Sequence, residues 1–249
     1  MSELNFDKEI EIAIKAVQSA GKFLKEGKKN LNLKINSNPR DTKLIADLKS
    51  EKLILDILNS ESNYPVLAEE TGKSSADLGE IFWVVDPLDG TANYNRNIPI
   101  CCVSIGLVKN MQPLIGVIFD FNNNDLFIGD NINKLARLNN KKIIVSDVHN
   151  KTDGVLITGL PFNTDYSDNA LKNLISEMQT WKKVRMIGSA AMASCYVASG
   201  KAELYKEKGI YLWDIIAGAA IVESAGGKAE ISNTNEAFQV DVVFSNSKI

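Results

Sequence analysis

Asp86 and Asp89 stand three residues apart around a proline, in the run Trp83-Val84-Val85-Asp86-Pro87-Leu88-Asp89-Gly90-Thr91-Ala92-Asn93-Tyr94. The apolar, largely β-branched stretch 81–85 reads as a strand that delivers both carboxylates. Hard divalent cations such as Mg²⁺ take oxygen ligands, usually one or two carboxylates together with phosphate oxygens. Small residues after the second Asp let backbone N–H groups approach an anion. One short segment can thus hold a metal and the phosphate that the metal polarises. Taken alone, the same run also reads as a strand ending in an Asp-Pro turn with an Asp-Gly turn behind it.

More acids stand elsewhere in the chain. Glu69 and Glu70 close the apolar stretch 64–68, and Asp214 opens a helical stretch in Tyr211-Leu212-Trp213-Asp214-Ile215-Ile216-Ala217-Gly218-Ala219. Clustered carboxylates repel one another strongly unless cations lie between them. A phosphate monoester is dianionic near neutral pH and repels a hydroxide nucleophile. Two cations about 4 Å apart neutralise it, acidify water and stabilise the leaving oxygen. Other chemistries find little support. His149 is the only histidine and sits in a polar stretch, so a phosphohistidine, a Ser-His-Asp triad or a His-rich zinc site has one residue to use. No G-x-x-x-x-G-K-[ST] loop occurs. Carboxylate and hydroxyl chemistry remains, and it suits Mg²⁺.

Composition narrows the setting. The balance of 28 basic and 31 acidic residues in 249 gives net −3 with no long run of one sign, so nothing points to nucleic acid or a membrane surface. The start, Met-Ser-Glu-Leu-Asn-Phe-Asp, has acids where a secretory leader has basic then apolar residues. The longest apolar run, 215–222, is far short of the roughly 20 residues a span needs. Three cysteines, Cys101 and Cys102 adjacent and Cys195 apart, make no disulfide framework, which predicts a reducing cytoplasm.

The elements that position these residues follow from periodicity. Helical spacing covers about 6–25 and 47–58; short strands are predicted at 65–68, 81–85, 101–108, 113–120 and 125–128. Hairpin turns fall at 109–112 and 122–124. The second half alternates strands (143–146, 155–158, 183–187, 202–205, 228–231, 241–245) with helices at 168–181, 189–199 and 213–225. This order predicts a mixed α/β (α+β) chain, an antiparallel meander followed by an alternating half. No linker or repeat divides it, so one unit over 1–249 is expected, with halves at about 1–150 and 151–249.

Together the acidic pair, the W-x-x-D-P-[IL]-D-G-T-x-N run and the distant Trp213-Asp214 with its small-residue helix resemble the inositol monophosphatase family. Lesser matches are Ala46-Asp47 with Glu51, Ile98-Pro99 before Val103-Ser104-Ile105-Gly106, Gly188-Ser189-Ala190-Ala191, and Glu223-Ser224-Ala225-Gly226-Gly227. The resemblance runs from about residue 8 to residue 246. It implies stacked α-β-α-β-α layers with the site between the two halves. It also implies two or three Mg²⁺ ions: Glu69, Asp86 and the Leu88 carbonyl holding one, Asp86, Asp89 and Asp214 a second. Catalysis would use Glu69, with Thr91 bonding the attacking water and Asp47 supporting Thr91, by direct in-line attack. Gly90 and Thr91 would face the phosphate, Glu207 would grip substrate hydroxyls, and Ser189 and Ala190 would shape the sugar pocket. A homodimer, lithium sensitivity and a further helix beyond 242–246 belong to the same pattern; the chain stops at Ile249.

Three of these residues have plainer readings. Asp214 suits a helix N-cap, Asp47 a helix N-terminal acid, and Glu207 a solvated charge in Lys206-Glu207-Lys208. Arg96 reaches either a substrate anion or solvent. The expected activity is Mg²⁺-dependent hydrolysis of a small phosphorylated polyol or sugar, inositol monophosphate first. Fructose-1,6-bisphosphatase, histidinol phosphatase and 3′(2′),5′-bisphosphate nucleotidase share the same metal cage and stay as alternatives. A low-turnover regulatory or interaction module is the alternative of another class.

Overall fold

The computed structural model describes residues 5–38, 41–160 and 164–249; residues 1–4, part of the start read for a leader, lie outside them. Helix α1 (Asp7–Leu31) buries Ala13, Ala16, Val17, Ala20 and Leu24, a stripe at helical spacing. It packs on α2 (Ile45–Glu61), and between them β1 (Lys34–Asn38) and β2 (Asp41–Leu44) pair antiparallel. Both helices run longer than their sequence periodicity indicates.

The large sheet is built from β3 (Val66–Ala68), β4 (Gly72–Lys73), β5 (Ile81–Asp89), β6 (Cys102–Lys109), β7 (Gln112–Asp120), β8 (Asp125–Asp130), β9 (Leu135–Leu138) and β10 (Lys141–Lys142), with the short helix α3 (Thr91–Asn95) after β5. Its order is β10-β9-β8-β7-β6-β5-β3-β4, antiparallel except where β3 runs parallel to β5. The expected meander is present. The turn between β6 and β7 places Asn110 and Met111 at φ 50° and 63°, the paired left-handed conformation of a tight hairpin.

The second sheet takes β11 (Val155–Thr158), β12 (Lys183–Arg185), β13 (Leu204–Tyr211), β14 (Lys228–Ser232) and β15 (Gln239–Ser245) in the order β12-β11-β13-β15-β14. The strands alternate with α4 (Asp168–Met178), α5 (Ala190–Ala198) and α6 (Leu212–Ser224) as expected. Helices α1 and α2 cover one face of the large sheet, α5 and α6 lie between the sheets, and α4 covers the outer face of the second, which gives five layers. Alternation along β5 divides the core. Trp83, Val85 and Leu88 pack towards α1 and α2, while Phe82 and Val84 pack towards α5 and α6.

Helix α6 sits unusually close to the large sheet, because Gly106, Gly116 and Gly129 pair in register across β6, β7 and β8. A Cβ at Gly116 would lie 2.0 Å from the Ala217 carbonyl oxygen, and one at Gly129 2.5 Å from the Ile221 Cα. Side chains on the sheet would push the helix off, so the glycine row sets how deep α6 lies.

Two expectations need correction. Residues 143–146 form no strand: the Ile143 N–H goes back to Ala136 and the Val145 N–H to Ala225, two different neighbours and hence no ladder. Strand β5 does not end at Val85 but continues through the Asp-Pro-Leu-Asp run. Among the described residues no helix is long and apolar enough to cross a membrane.

Candidate active site

In a regular strand, residues three apart point to opposite faces. Asp86 and Asp89 nevertheless share one, because β5 carries a bulge. Asp86 pairs with Ser104 and Asp89 with Cys102, so three steps on β5 match two on β6. The extra residue turns both carboxylates towards α5 and α6 and leaves the Leu88 side chain in the opposite core. The Leu88 N–H donates to Asp86 Oδ1 at 2.9 Å, and Ser50 Oγ on α2 donates to the Pro87 carbonyl at 2.8 Å, which pins the bulge.

Asp47 and Asp214 are built alike. Each is the third residue of its helix, and each uses Oδ2 to accept the N–H of the residue before the helix: Leu44 for Asp47 and Tyr211 for Asp214, both at 2.8 Å. This capping bond satisfies an otherwise unpaired helix N-terminal N–H and fixes the carboxylate's rotamer. Asp47 is the helix N-terminal acid of its plainer reading, whereas Asp214 is not the N-cap, which is Tyr211, but the third helical residue. At Asp47 the other oxygen accepts the Thr91 hydroxyl at 2.8 Å, with the Leu88 carbonyl 3.0 Å from the same hydroxyl. Glu69 follows β3, with its N–H on the Val85 carbonyl at 3.2 Å. Its carboxyl stands close enough to that of Asp86 for the two to interact electrostatically.

The electrostatics match the crowding. Burial raises the carboxyls of Asp86 and Glu69 well above the usual range, and neighbouring acids add to it: Glu69, Asp89 and Asp214 on Asp86, then Asp214, Asp47 and Glu70 on Glu69. Asp214 is raised by burial and by Asp89. Asp89 is raised by burial, although bonds from Ser189, Ala191 and Ala190 oppose this. Burial lifts Asp47 to about 6 against the Thr91 and Leu44 bonds. Among the described residues, no three His, Cys, Asp or Glu side chains stand close enough to enclose an ion as they are placed. The donor chemistry still fits a hard cation: every donor is oxygen, and the acids press one another towards protonation, the state a divalent cation reverses. Asp86 and Asp89 are buried, whereas Glu69 and Asp214 are half-buried.

Ser189 and Ala190 reach the cluster through Asp89. Ser189 Oγ donates to Asp89 Oδ2, and the Ala191 and Ala190 N–H groups donate to the same carboxylate at 2.9 and 3.3 Å. Glu207 is not the solvated charge of a Lys-Glu-Lys run. It is half-buried, accepts the Tyr205 hydroxyl at 2.9 Å and lies against Gly159. Burial lifts it to about 7, with Asp89 adding to the rise. His149 is exposed in the 143–150 segment with Asp147 at 3.5 Å, and Arg96 is exposed after α3. Tyr94 is buried, its hydroxyl on the Leu24 carbonyl at 2.7 Å, and so serves packing. Asn93 was not singled out by sequence. Its amide donates to the Ile100, Ile187 and Gly188 carbonyls and ties α3 to the α5 entry. The Asn within D-G-T-x-N was the available signal.

This five-layer arrangement is the fold of solved inositol monophosphatases. That of Anabaena (Nostoc) sp. superposes with a TM-score of 0.86 at 32% identity, covering 99% of this chain and 93% of that one. Residues 5–243 match the sequence pattern of the inositol monophosphatase family, and the chain belongs to it. Inositol monophosphatase 1 of Rattus norvegicus is 30% identical over 228 residues, 88% of this chain and 81% of that protein. Nus factor SuhB of Xylella fastidiosa is 36% identical over 222 residues, 88% and 80% of the two chains.

Proposed function

We propose that this protein is a Mg²⁺-dependent phosphatase of small phosphate monoesters, with inositol monophosphate as its first substrate. The observation that carries the reading is the Thr91 hydroxyl held on Asp47 beside the acid cluster. Glu69, Asp86, Asp89, Asp214 and the Leu88 carbonyl would hold the metal, with half-buried Glu69 and Asp214 closing on it. When bound, Mg²⁺ supplies charge that offsets the phosphate dianion and makes nearby water a stronger acid.

The chain's own groups do the rest. Thr91 Oγ1 accepts a hydrogen bond from the attacking water and donates its own proton to Asp47 Oδ1. With its carboxyl lifted to about 6, Asp47 is ionised and basic enough near neutral pH to draw that proton. The Gly90 and Thr91 N–H groups steady the phosphoryl oxygens, and Glu207 accepts bonds from substrate hydroxyls. Relatives named inositol monophosphatase favour the polyol substrate. Relatives named Nus factor SuhB favour a second reading, a binding role of that kind with little turnover.

Phosphate release decides between them. The purified protein is given inositol 1-phosphate, fructose 1,6-bisphosphate, histidinol phosphate and 3′-phosphoadenosine 5′-phosphate, with Mg²⁺ or with excess chelator. Turnover only with Mg²⁺, fastest on inositol phosphate, is expected. Full turnover in chelator overturns the metal role, and no turnover on any ester favours the binding role.

A further inference from the structure

One face of α2 touches both segments of the large-sheet half that carry the acids, the β5 bulge and the turn after β3. Asp47, Ser50 and Glu51 lie at helical positions i, i+3 and i+4, which share a face. Asp47 holds Thr91, Ser50 holds the bulge at Pro87, and Glu51 holds the turn after Glu69. The Glu51 contact is unusual in chemistry. Its carboxylate is 1% exposed, with no cation among its bonded partners in the described residues; Oε2 accepts the Glu70 N–H at 2.8 Å and Oε1 accepts the Thr71 N–H at 2.9 Å. Burial raises this carboxyl, so the site is costly for a charge. A turn needing only ordinary support could satisfy two N–H groups with neutral acceptors or water.

Position explains the arrangement. Glu69 is gripped on both sides: its own N–H bonds Val85, and the next two N–H groups bond Glu51. Its neighbour Glu70 is paired with Lys43 of β2 instead. The two adjacent acids are thereby sorted, Glu69 into the cluster and Glu70 onto a lysine.

We propose that Glu51 is a positioning residue for metal binding, which fixes the Glu69 carboxylate by clamping the backbone of residues 70 and 71. This rests on the Mg²⁺-phosphatase reading above. Groups that orient a ligand, without being ligands, change metal affinity or activity by about 10- to 100-fold when removed.

The test compares wild type with Glu51→Gln and Glu51→Asp. Gln keeps the volume but turns one acceptor into an NH₂ that faces a backbone N–H. Asp keeps the charge but withdraws it by one methylene. Mg²⁺ affinity is read twice, by calorimetric titration and by the Mg²⁺ concentration that half-saturates phosphate release. Both variants are expected to bind Mg²⁺ about 10- to 100-fold more weakly, with kcat largely restored at saturating Mg²⁺. Wild-type Mg²⁺ affinity in both variants, even with a lower Tm, would make Glu51 a support of the turn only and overturn the proposal. Weakening in Gln but not in Asp would assign the effect to charge and also overturn it. If Glu51→Gln does not fold, Glu51→Asp decides alone: weaker Mg²⁺ binding supports the clamp, and wild-type affinity overturns it. A wild-type protein that takes up no Mg²⁺ by calorimetry would overturn the phosphatase reading itself, and the clamp's purpose with it.

Discussion

Asp89 accepts the hydroxyl of Ser189 from one hundred residues further along the chain. The same hydroxyl oxygen caps α5 by accepting the Met192 N–H at 3.2 Å, so one serine starts a helix and aims an acid of the cluster. The Ala190 and Ala191 N–H groups complete the grip and place Asp89 at the positive end of α5. Ser189→Ala removes the cap and one charged hydrogen bond. A stability loss of about 1–3 kcal/mol is expected by urea unfolding. Turnover should fall too, since Asp89 loses its strongest guide. Unchanged unfolding and unchanged kcat would show that the serine guides nothing.

The Thr91–Asp47 pair should behave as one unit. Thr91→Val keeps the shape and removes the proton path, and Asp47→Asn keeps the shape and removes the base. Each is expected to lower kcat by about 10²-fold or more, with the double variant little worse than either single one. Asp47 must be ionised to draw a proton, so activity should fall as pH drops through the acid range below about 6. Mg²⁺ nearby moves that limb lower. An unaltered acid limb in Asp47→Asn would remove Asp47 from the mechanism.

Metal-free protein should lose stability as pH rises. Asp47, Glu69, Asp86, Asp89, Asp214 and Glu207 all hold their protons more tightly folded than is usual for a carboxyl. The native state therefore binds more protons than the unfolded chain, and stability declines with pH across that window. The contribution is fully present below about pH 4 and is lost as pH climbs through about 6–7 and beyond. In chelator, Tm at pH 5.5 is expected to exceed Tm at pH 8 by scanning calorimetry, and Mg²⁺ should close most of the gap. A Tm in chelator that is flat or rises with pH would contradict the carboxyl crowding.

How far the sequence carries can be judged residue by residue. Asp86, Asp89, Glu69 and Asp214 were legible because each acid abuts an apolar strand or helix, and local pattern registers that. The bulge that puts Asp86 and Asp89 on one face was not, since it depends on pairing with β6. The Ser189–Asp89 bond joins segments too far apart for any spacing rule. The Asn139-Asn140 hairpin turn, with φ 49° and 65°, carried a readable signal in its two asparagines. The apolar, β-branched run Ile143-Ile144-Val145 suits a strand, but no neighbouring strand pairs with it. Local pattern reports what a segment can do, and tertiary pairing decides whether it does.

Gly116→Ala tests whether the glycine row positions Asp214. The added methyl would overlap the Ala217 carbonyl, and backbone on both sides leaves it nowhere to turn. Lifting α6 should cost about 1–3 kcal/mol or more in unfolding free energy. Because Asp214 opens α6, Mg²⁺ affinity should weaken along with stability. Loss of stability with unchanged Mg²⁺ affinity would uncouple the helix depth from the site.

Specificity turns on Glu207. It is half-buried and accepts the Tyr205 hydroxyl on one oxygen, and among the described residues no hydrogen bond reaches the other. Glu207→Gln is expected to slow polyol phosphates selectively and leave a generic aryl phosphate almost untouched. Charge-assisted bonds to neighbouring hydroxyls contribute about 1.5–3 kcal/mol, or roughly ten- to a hundred-fold in kcat/KM. Glu207 takes its proton at about 7, so the preference for polyols should weaken in wild type as pH falls below that value and be flat with pH in the variant. Mg²⁺ in the neighbouring cluster would lower that point. Rates that change equally for wild type and variant across the panel would leave Glu207 as a partner of Tyr205 alone. The polyol preference would then have to arise elsewhere, at Ser189, Ala190 or the loop around Arg96, and inositol phosphate would lose its priority among the esters.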